Sequence, residues 1–128
     1  VKRFDLRATS CVAELKLETL QQIALLIPQY RQPPVFPAVT RDLNLVVDES
    51  VSWADVEQTV RGAAPEAEAV LFQGVYRDAE RLGTGKKSLL FTLTLRLREG
   101  TLTGEAADAI NARVVAACQS THAAQLRA

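Results

Sequence analysis

The sequence predicts an α+β fold in which two helices cover one face of an antiparallel sheet. Three observations predict it: a segment of strict period-two alternation, two amphipathic helical segments that follow capping residues, and strand-like segments between them. The 128 residues are 48% apolar and 23% charged, which is typical of globular chains and excludes disordered, collagenous and disulfide-scaffold classes. The 15 basic and 15 acidic residues balance, so any contact with a polyanion must be local.

Four of the five prolines lie within residues 28–37 and mark a boundary. Before it, alternation over residues 11–17 predicts a strand, and residues 20–27 predict a short helix. The chain contains no methionine, so we expect a piece of a longer protein. The expected domains are a C-terminal remnant of an upstream catalytic-like module at 1–30, a proline-rich linker at 31–40, and the main domain at 41–128.

In the first half of the main domain the sequence predicts a strand, a helix and a second strand. Residues 41–48 alternate between apolar and polar side chains, as a strand with one solvated face does. The next helix begins after Ser52, which can cap its free amides together with Asp55, and it ends at Gly62. Residues 70–76 are rich in β-branched and aromatic side chains and form the second strand.

In the second half of the main domain the sequence predicts a third strand, a long helix and a short edge strand. In residues 88–98 the apolar side chains take every odd position, and threonine or arginine takes the even positions from 92 onward. Thr103 caps a long amphipathic helix, and residues 123–126 form the last strand. This βαββαβ order is the ferredoxin-like split βαβ sandwich: a four-stranded antiparallel sheet with both helices on one face. We expect function on the other face.

Two features leave alternatives open. The loop at 83–88, Gly-Thr-Gly-Lys-Lys-Ser, lacks the spacing and the following helix of a P-loop; Lys86 and Lys87 are either solvated or contact a phosphate backbone. Tyr76 is either a cap of the core or a ring on which a nucleobase stacks. We expect no catalytic, metal or cofactor site, and we give His122 no role.

The pattern of apolar residues along the chain predicts a cytoplasmic protein. No apolar run approaches the roughly 18 residues of a membrane span, and the chain does not start like a signal peptide. We expect no membrane contact. Cys11 and Cys118 lack metal-binding spacing, and we expect both to be buried free thiols.

Five short motifs follow one another along residues 35–128. They are Phe36-Pro37-Ala38-Val39-Thr40-Arg41-Asp42-Leu43, Val75-Tyr76-Arg77, Gly85-Lys86-Lys87-Ser88-Leu89, Thr101-Leu102-Thr103 and Ala124-Gln125-Leu126-Arg127. On these motifs the main domain resembles the ferredoxin-fold anticodon-binding domain at the C-terminus of the beta chain of bacterial-type phenylalanyl-tRNA synthetase. Residues 1–30 resemble the end of the module before it.

The resemblance implies a non-catalytic domain that docks the anticodon stem-loop of phenylalanine tRNA. It also implies a parent phenylalanine-tRNA ligase of two alpha and two beta chains, in which the alpha subunit joins phenylalanine to tRNA with ATP and magnesium. Tyr76 would stack on an anticodon base, and Ser88 would hydrogen-bond nearby. The expected RNA-contacting cations are Lys86, Lys87, Arg77 and Arg96.

One position departs from the family pattern. The family has an aspartate two residues before the tyrosine, where this chain has Gly74. Either Gly74 marks a bulge that shifts the strand register, or another side chain supplies the lost acceptor. If Tyr76 faces outward, strict alternation also exposes Phe72, which requires a bulge or a second stacking role.

Two other functions fit the fold, since a fold does not fix function. The alternative is a regulatory module that binds a small amino acid at a subunit interface; it predicts pairing of strand edges and a site away from Tyr76. An acyl-phosphate hydrolase ranks last, because residues 83–88 lack the arginine that it needs. As an RNA-binding domain, the isolated chain should bind weakly and with a shallow salt dependence.

Overall fold

The computed structural model describes residues 10–27, 30 and 32–127, which fall into two units divided after Pro33. In the first unit, helix α1 spans Leu17–Ile23, and every described residue from 10 to 27 is exposed. The strand expected at residues 11–17 is wrong: residues 10–16 have no regular structure, and the helix begins three residues earlier than expected. An alternating segment without a neighbouring strand has no partner for its backbone hydrogen bonds.

The second unit contains the predicted ferredoxin-like fold. Its sheet has the strand order β2-β3-β1-β4, and every neighbouring pair is antiparallel. The elements are β1 (Val39–Asp48), α2 (Trp53–Ala63), β2 (Ala67–Tyr76), α3 (Ala79–Leu82), β3 (Lys86–Leu95), α4 (Gly104–His122) and β4 (Gln125–Leu126). The short helix α3 was not predicted; the other six elements confirm the predicted order.

A single core lies between the sheet and helices α2 and α4. β1 and β3 pair without a register shift from Val39↔Leu95 to Asp48↔Lys86, so their odd-numbered apolar residues share one face. Each large side chain that is fully buried there contributes about 1.5–3 kcal/mol. The core includes Leu43, Leu45, Val47, Leu89, Phe91, Leu93 and Leu95 from the sheet and Val56, Val60, Ile110, Val114 and Cys118 from the helices.

Both long helices begin at the predicted caps. The Ser52 hydroxyl accepts from the Asp55 amide at 3.2 Å, and the Asp55 carboxylate accepts from the Ser52 amide at 3.3 Å, which completes a capping box. At α4 the Thr103 hydroxyl accepts from the amide of Ala106 at 3.2 Å. These bonds satisfy amides that the first helical turn leaves without partners.

A bulge in β2 settles the position of Phe72. The register between β2 and β3 shifts between Phe72 and Gly74, which leaves Gln73 as the extra residue. Phe72 therefore lies on the core side, where its ring centroid is 5.2 Å from that of Trp53. Tyr76 pairs with Ser88 on the opposite face. The bulge at Gly74 is confirmed.

The two thiols have different surroundings. Cys118 is buried, and burial raises the pKa of its thiol to about 11. Cys11 is exposed, so the expectation that both thiols are buried is wrong for Cys11. In the part of the chain that the structure describes, no helix has the length and apolar character needed to cross a bilayer.

Candidate nucleic-acid interface

The sheet presents one face away from α2 and α4, which we call the open face. It is accessible to solvent: Tyr76 retains 41% exposure, Leu90 42% and Leu71 53%. Because β1 and β3 keep their register, the even-numbered residues of both strands lie on this side. The open face includes Asp42, Asn44, Val46, Leu71, Gln73, Gly74, Tyr76, Ser88, Leu90, Thr92 and Thr94.

A groove of about 410 Å³ lies at one end of the open face. Three strands, helix α3 and the residue after β4 contribute to it. It combines an aromatic ring, an aliphatic floor and two guanidinium groups. The lining residues are Asn44, Gly74, Val75, Tyr76, Arg81, Leu90 and Arg127.

The Tyr76 ring is held at the rim of this groove by polar contacts. Its hydroxyl donates to the carboxylate of Asp78 at 2.6 Å, and the guanidinium carbon of Arg127 lies 5.4 Å from its ring centroid. The hydrogen bond to Asp78 raises the pKa of Tyr76 and lowers the pKa of Asp78. The phenol therefore stays protonated, its direction is fixed, and the Arg127 guanidinium lies over the ring.

Asp78 connects Tyr76 to the short helix α3. Its carboxylate accepts from the amides of Glu80 at 3.0 Å and Arg81 at 3.1 Å, and it lies 3.6 Å from the Arg81 guanidinium. Sequence reasoning missed this role. The signal was a capping aspartate followed, after one helical turn, by Gly83, whose φ is 92°.

Ser88 lies next to Tyr76 but does not itself reach solvent. Only 1% of the residue is exposed, and its hydroxyl donates to the side-chain oxygen of Asn44 on β1. The structure thus brings the predicted Tyr76 and Ser88 together and adds Asn44, to which the sequence assigned no role. Alternation placed Asn44 on the polar face; its contact with Ser88 depends on the pairing of β1 with β3.

The two predicted lysines differ in accessibility. The Lys87 side chain is 11% exposed, and its ammonium donates to the backbone carbonyl of Glu49 at 2.7 Å. A phosphate contact by Lys87 would require that bond to open. The Lys86 side chain is 34% exposed, with its ammonium 3.6 Å from the carboxylate of Asp48.

The two predicted arginines are held in ion pairs. Arg77 contacts Glu49 through two nitrogens, at 2.7 and 3.0 Å, and this hydrogen bonding lowers the pKa of Glu49. Arg96 lies 2.7 Å from the Glu68 carboxylate and donates to the carbonyl of Phe36. None of the four predicted cations lines the groove; Arg81 and Arg127 do. The RNA roles of all six predicted residues stay predictions.

The groove can bind a flat ring and hydrogen-bond to acceptors around it. Aromatic side chains stack on bases, and guanidinium groups pair with phosphates or base edges. His122 lies elsewhere, at the end of α4, with its ring nitrogen 2.8 Å from the Thr59 hydroxyl. Among the described residues, no cluster of three histidine, cysteine or acidic side chains is placed to hold a metal ion.

The second unit matches a known family. Residues 34–127 match the family model described as the ferredoxin-fold anticodon binding domain. The chain is 38% identical to the phenylalanine--tRNA ligase beta subunit of Rhodopirellula baltica over 120 residues, which are 93% of this chain and 18% of that protein. It is 42% identical over 113 residues to the same subunit of Anaeromyxobacter dehalogenans, and the alignment covers 88% of this chain and 14% of that protein. It is 39% identical over 126 residues to the same subunit of Streptomyces avermitilis, and the alignment covers 97% of this chain and 15% of that protein.

The chain spans less than a fifth of the length of these curated relatives. The family match itself covers every element of the sheet, both long helices and all residues that line the groove. Fold, topology and motif order agree with that match. The chain belongs to the family of ferredoxin-fold anticodon-binding domains.

Proposed function

We propose that the open face docks the anticodon stem-loop of phenylalanine tRNA, with one loop base stacked on Tyr76. The observation that carries the proposal is the exposed Tyr76 ring at the rim of a groove that also holds Arg81 and Arg127. A ring beside cations on an open sheet suits an unpaired base, because stacking and phosphate attraction act together. Asp78 supports this role by holding the phenol in one direction.

The relatives are beta subunits of phenylalanine--tRNA ligase, which suggests the parent protein. We infer that this chain is part of the beta subunit of a cytoplasmic phenylalanine-tRNA ligase that pairs with an alpha subunit in a two-alpha, two-beta assembly. ATP and magnesium would act in amino-acid activation, outside this domain. The domain would contribute binding energy and leave the chemistry to the rest of the enzyme.

The charge distribution supports a weak contact. The four predicted cations have carboxylate or carbonyl partners, and the chain is neutral, so docking releases few counterions. A tethered domain still contributes, because the other contacts of the parent enzyme raise the effective concentration of the anticodon loop. We expect measurable but weak binding for the isolated chain.

The test is a titration of a fluorescently labelled phenylalanine anticodon stem-loop followed by anisotropy. Tyr76→Ala should weaken binding by about 1–3 kcal/mol, because one base loses its stacking partner. Tyr76→Phe should keep most of the affinity, since the ring remains. Tyr30, the other tyrosine, is 85% exposed in the first unit, so Tyr30→Ala is the matched control and should bind as the unchanged chain does. Equal affinity of Tyr76→Ala and the unchanged chain would refute the proposal.

A further inference from the structure

We propose that Asn44 reads the base that stacks on Tyr76, by donating a hydrogen bond from its side-chain amide to an acceptor on the base edge. The inference rests on the proposed function and adds the class of base that the groove selects. Asn44 and Tyr76 line the same groove, and Ser88, the strand partner of Tyr76, is bonded to Asn44.

The contact with Ser88 decides which part of the Asn44 amide is available. An asparagine side chain has one carbonyl oxygen, which accepts, and one NH₂ group, which donates twice. The oxygen of Asn44 already accepts from the buried hydroxyl of Ser88. This bond orients the amide, as a supporting contact behind a binding residue does. The NH₂ group takes no part in this bond and can donate to a ligand.

The other polar side chains of the groove also offer hydrogen-bond donors rather than acceptors. Arg81 and Arg127 carry only donors, and the Tyr76 hydroxyl is engaged with Asp78. Gly74 supplies no side chain, so no carboxylate from β2 reaches the groove at that position. A base that offers acceptors, such as a keto oxygen with a neighbouring ring nitrogen, therefore fits better than one that offers an amino group at that edge.

The experiment uses hairpins with the phenylalanine anticodon loop in which each loop position in turn carries inosine or adenosine. Inosine has a keto oxygen where adenosine has an amino group. The unchanged chain should bind the inosine hairpin about threefold to tenfold more tightly at one position, the value of a single hydrogen bond. Asn44→Asp replaces the donor with an acceptor and should reverse or abolish that preference. Asn44→Ala should abolish it.

The controls separate charge and folding from base reading. Gln73→Glu adds the same charge to the same face, but Gln73 bonds to Thr92 and does not line the groove, so the preference should survive. Thermal unfolding shows whether the Asn44 variants are folded. If Asn44→Ala is unfolded, Asn44→Ser takes its place in the experiment.

Two outcomes refute different statements. If Tyr76→Ala weakens binding but the inosine preference is absent or survives in Asn44→Asp and Asn44→Ala, the inference about Asn44 is wrong and the proposed function stands. If Tyr76→Ala changes nothing, or no hairpin binds, the proposed function fails and the inference about Asn44 fails with it.

Discussion

At the scale of single residues, Lys86 and Lys87 are adjacent in sequence but have different surroundings. Lys87 is nearly buried on the Glu49 carbonyl, whereas Lys86 is partly exposed. Lys86→Ala should therefore reduce the slope of log Kd against log salt by about 0.7 to 0.9, the contribution of one phosphate contact. Lys87→Ala should leave that slope unchanged and lower the free energy of unfolding by about 1–3 kcal/mol, because a charged hydrogen bond is lost.

Each lysine serves as the control for the other. The measurement is a series of RNA titrations at several salt concentrations, accompanied by urea unfolding of both variants. A lower slope for Lys87→Ala would show that its ammonium leaves Glu49 to contact RNA. An unchanged slope for Lys86→Ala would place the phosphates elsewhere.

The candidate site could be predicted only in part from the sequence. Period-two alternation and the family motifs identified Tyr76 and Ser88, because both signals are local. The partners of Lys87 and Arg96 could not be predicted, since Glu49 and Glu68 lie 38 and 28 residues away and meet them only after the strands pair. Asn44 was recognisable as solvent-facing, but its contact with Ser88 depends on the same pairing.

At the scale of elements, two glycines flank the site, and only one of them has a backbone conformation that favours glycine. Gly74 lies at the bulge of β2 with a φ outside the left-handed region, and a Cβ there would have no atom within 4 Å; Gly85 before β3 has a φ of 75°. Gly74→Ala should raise the free energy of unfolding by about 0.4–1 kcal/mol by restricting the unfolded chain. Gly85→Ala should lower it by about 1–2 kcal/mol, because its conformation is left-handed.

Urea unfolding of the two variants measures both effects under the same conditions. Destabilisation by Gly74→Ala would mean that the bulge needs glycine for a reason other than space or φ. The same measurement on Gly85→Asn provides a control, since asparagine tolerates the left-handed region better than alanine.

Element boundaries were predictable where the signal was local. Ser52 and Thr103 start their helices through contacts within three residues. The expected strand at residues 11–17 failed because alternation needs a neighbouring strand to become a sheet. A bulge marked by Gly74 was one of two open interpretations, since alternation alone does not reveal that Gln73 is the extra residue.

At the scale of the whole molecule, carboxylates tie the elements together and make stability depend on pH. The Glu66 carboxylate, after α2, lies 2.6 Å from Arg113 on α4, and this hydrogen bond lowers the pKa of Glu66 from its ordinary value of 4.5. Because the pKa is lower in the folded chain, the unfolded chain binds more protons near that pH. The stabilisation is complete above about pH 4.5 and is lost as pH falls through the lower folded value.

Thermal unfolding between pH 7 and pH 3 should therefore show a falling Tm below about pH 4.5, with a shallower fall for Glu66→Gln. Glu99, an exposed carboxylate after β3, provides the control: Glu99→Gln should keep the profile of the unchanged chain. Identical profiles for Glu66→Gln and the unchanged chain would contradict the role of the Glu66–Arg113 pair.

The extra residue Gln73 in β2 has a consequence for how this surface can change. Phe72 and Tyr76 are four positions apart, so a regular strand would turn both rings to the same side. With Gln73 inserted, the Phe72 ring contacts Trp53 on the core side, although 46% of Phe72 is exposed, and the Tyr76 ring is offered to a ligand on the opposite face. Removing Gln73 would turn both rings to one side, so either the contact of Phe72 with Trp53 or the ring of Tyr76 on the open face would be lost, although every other residue is kept.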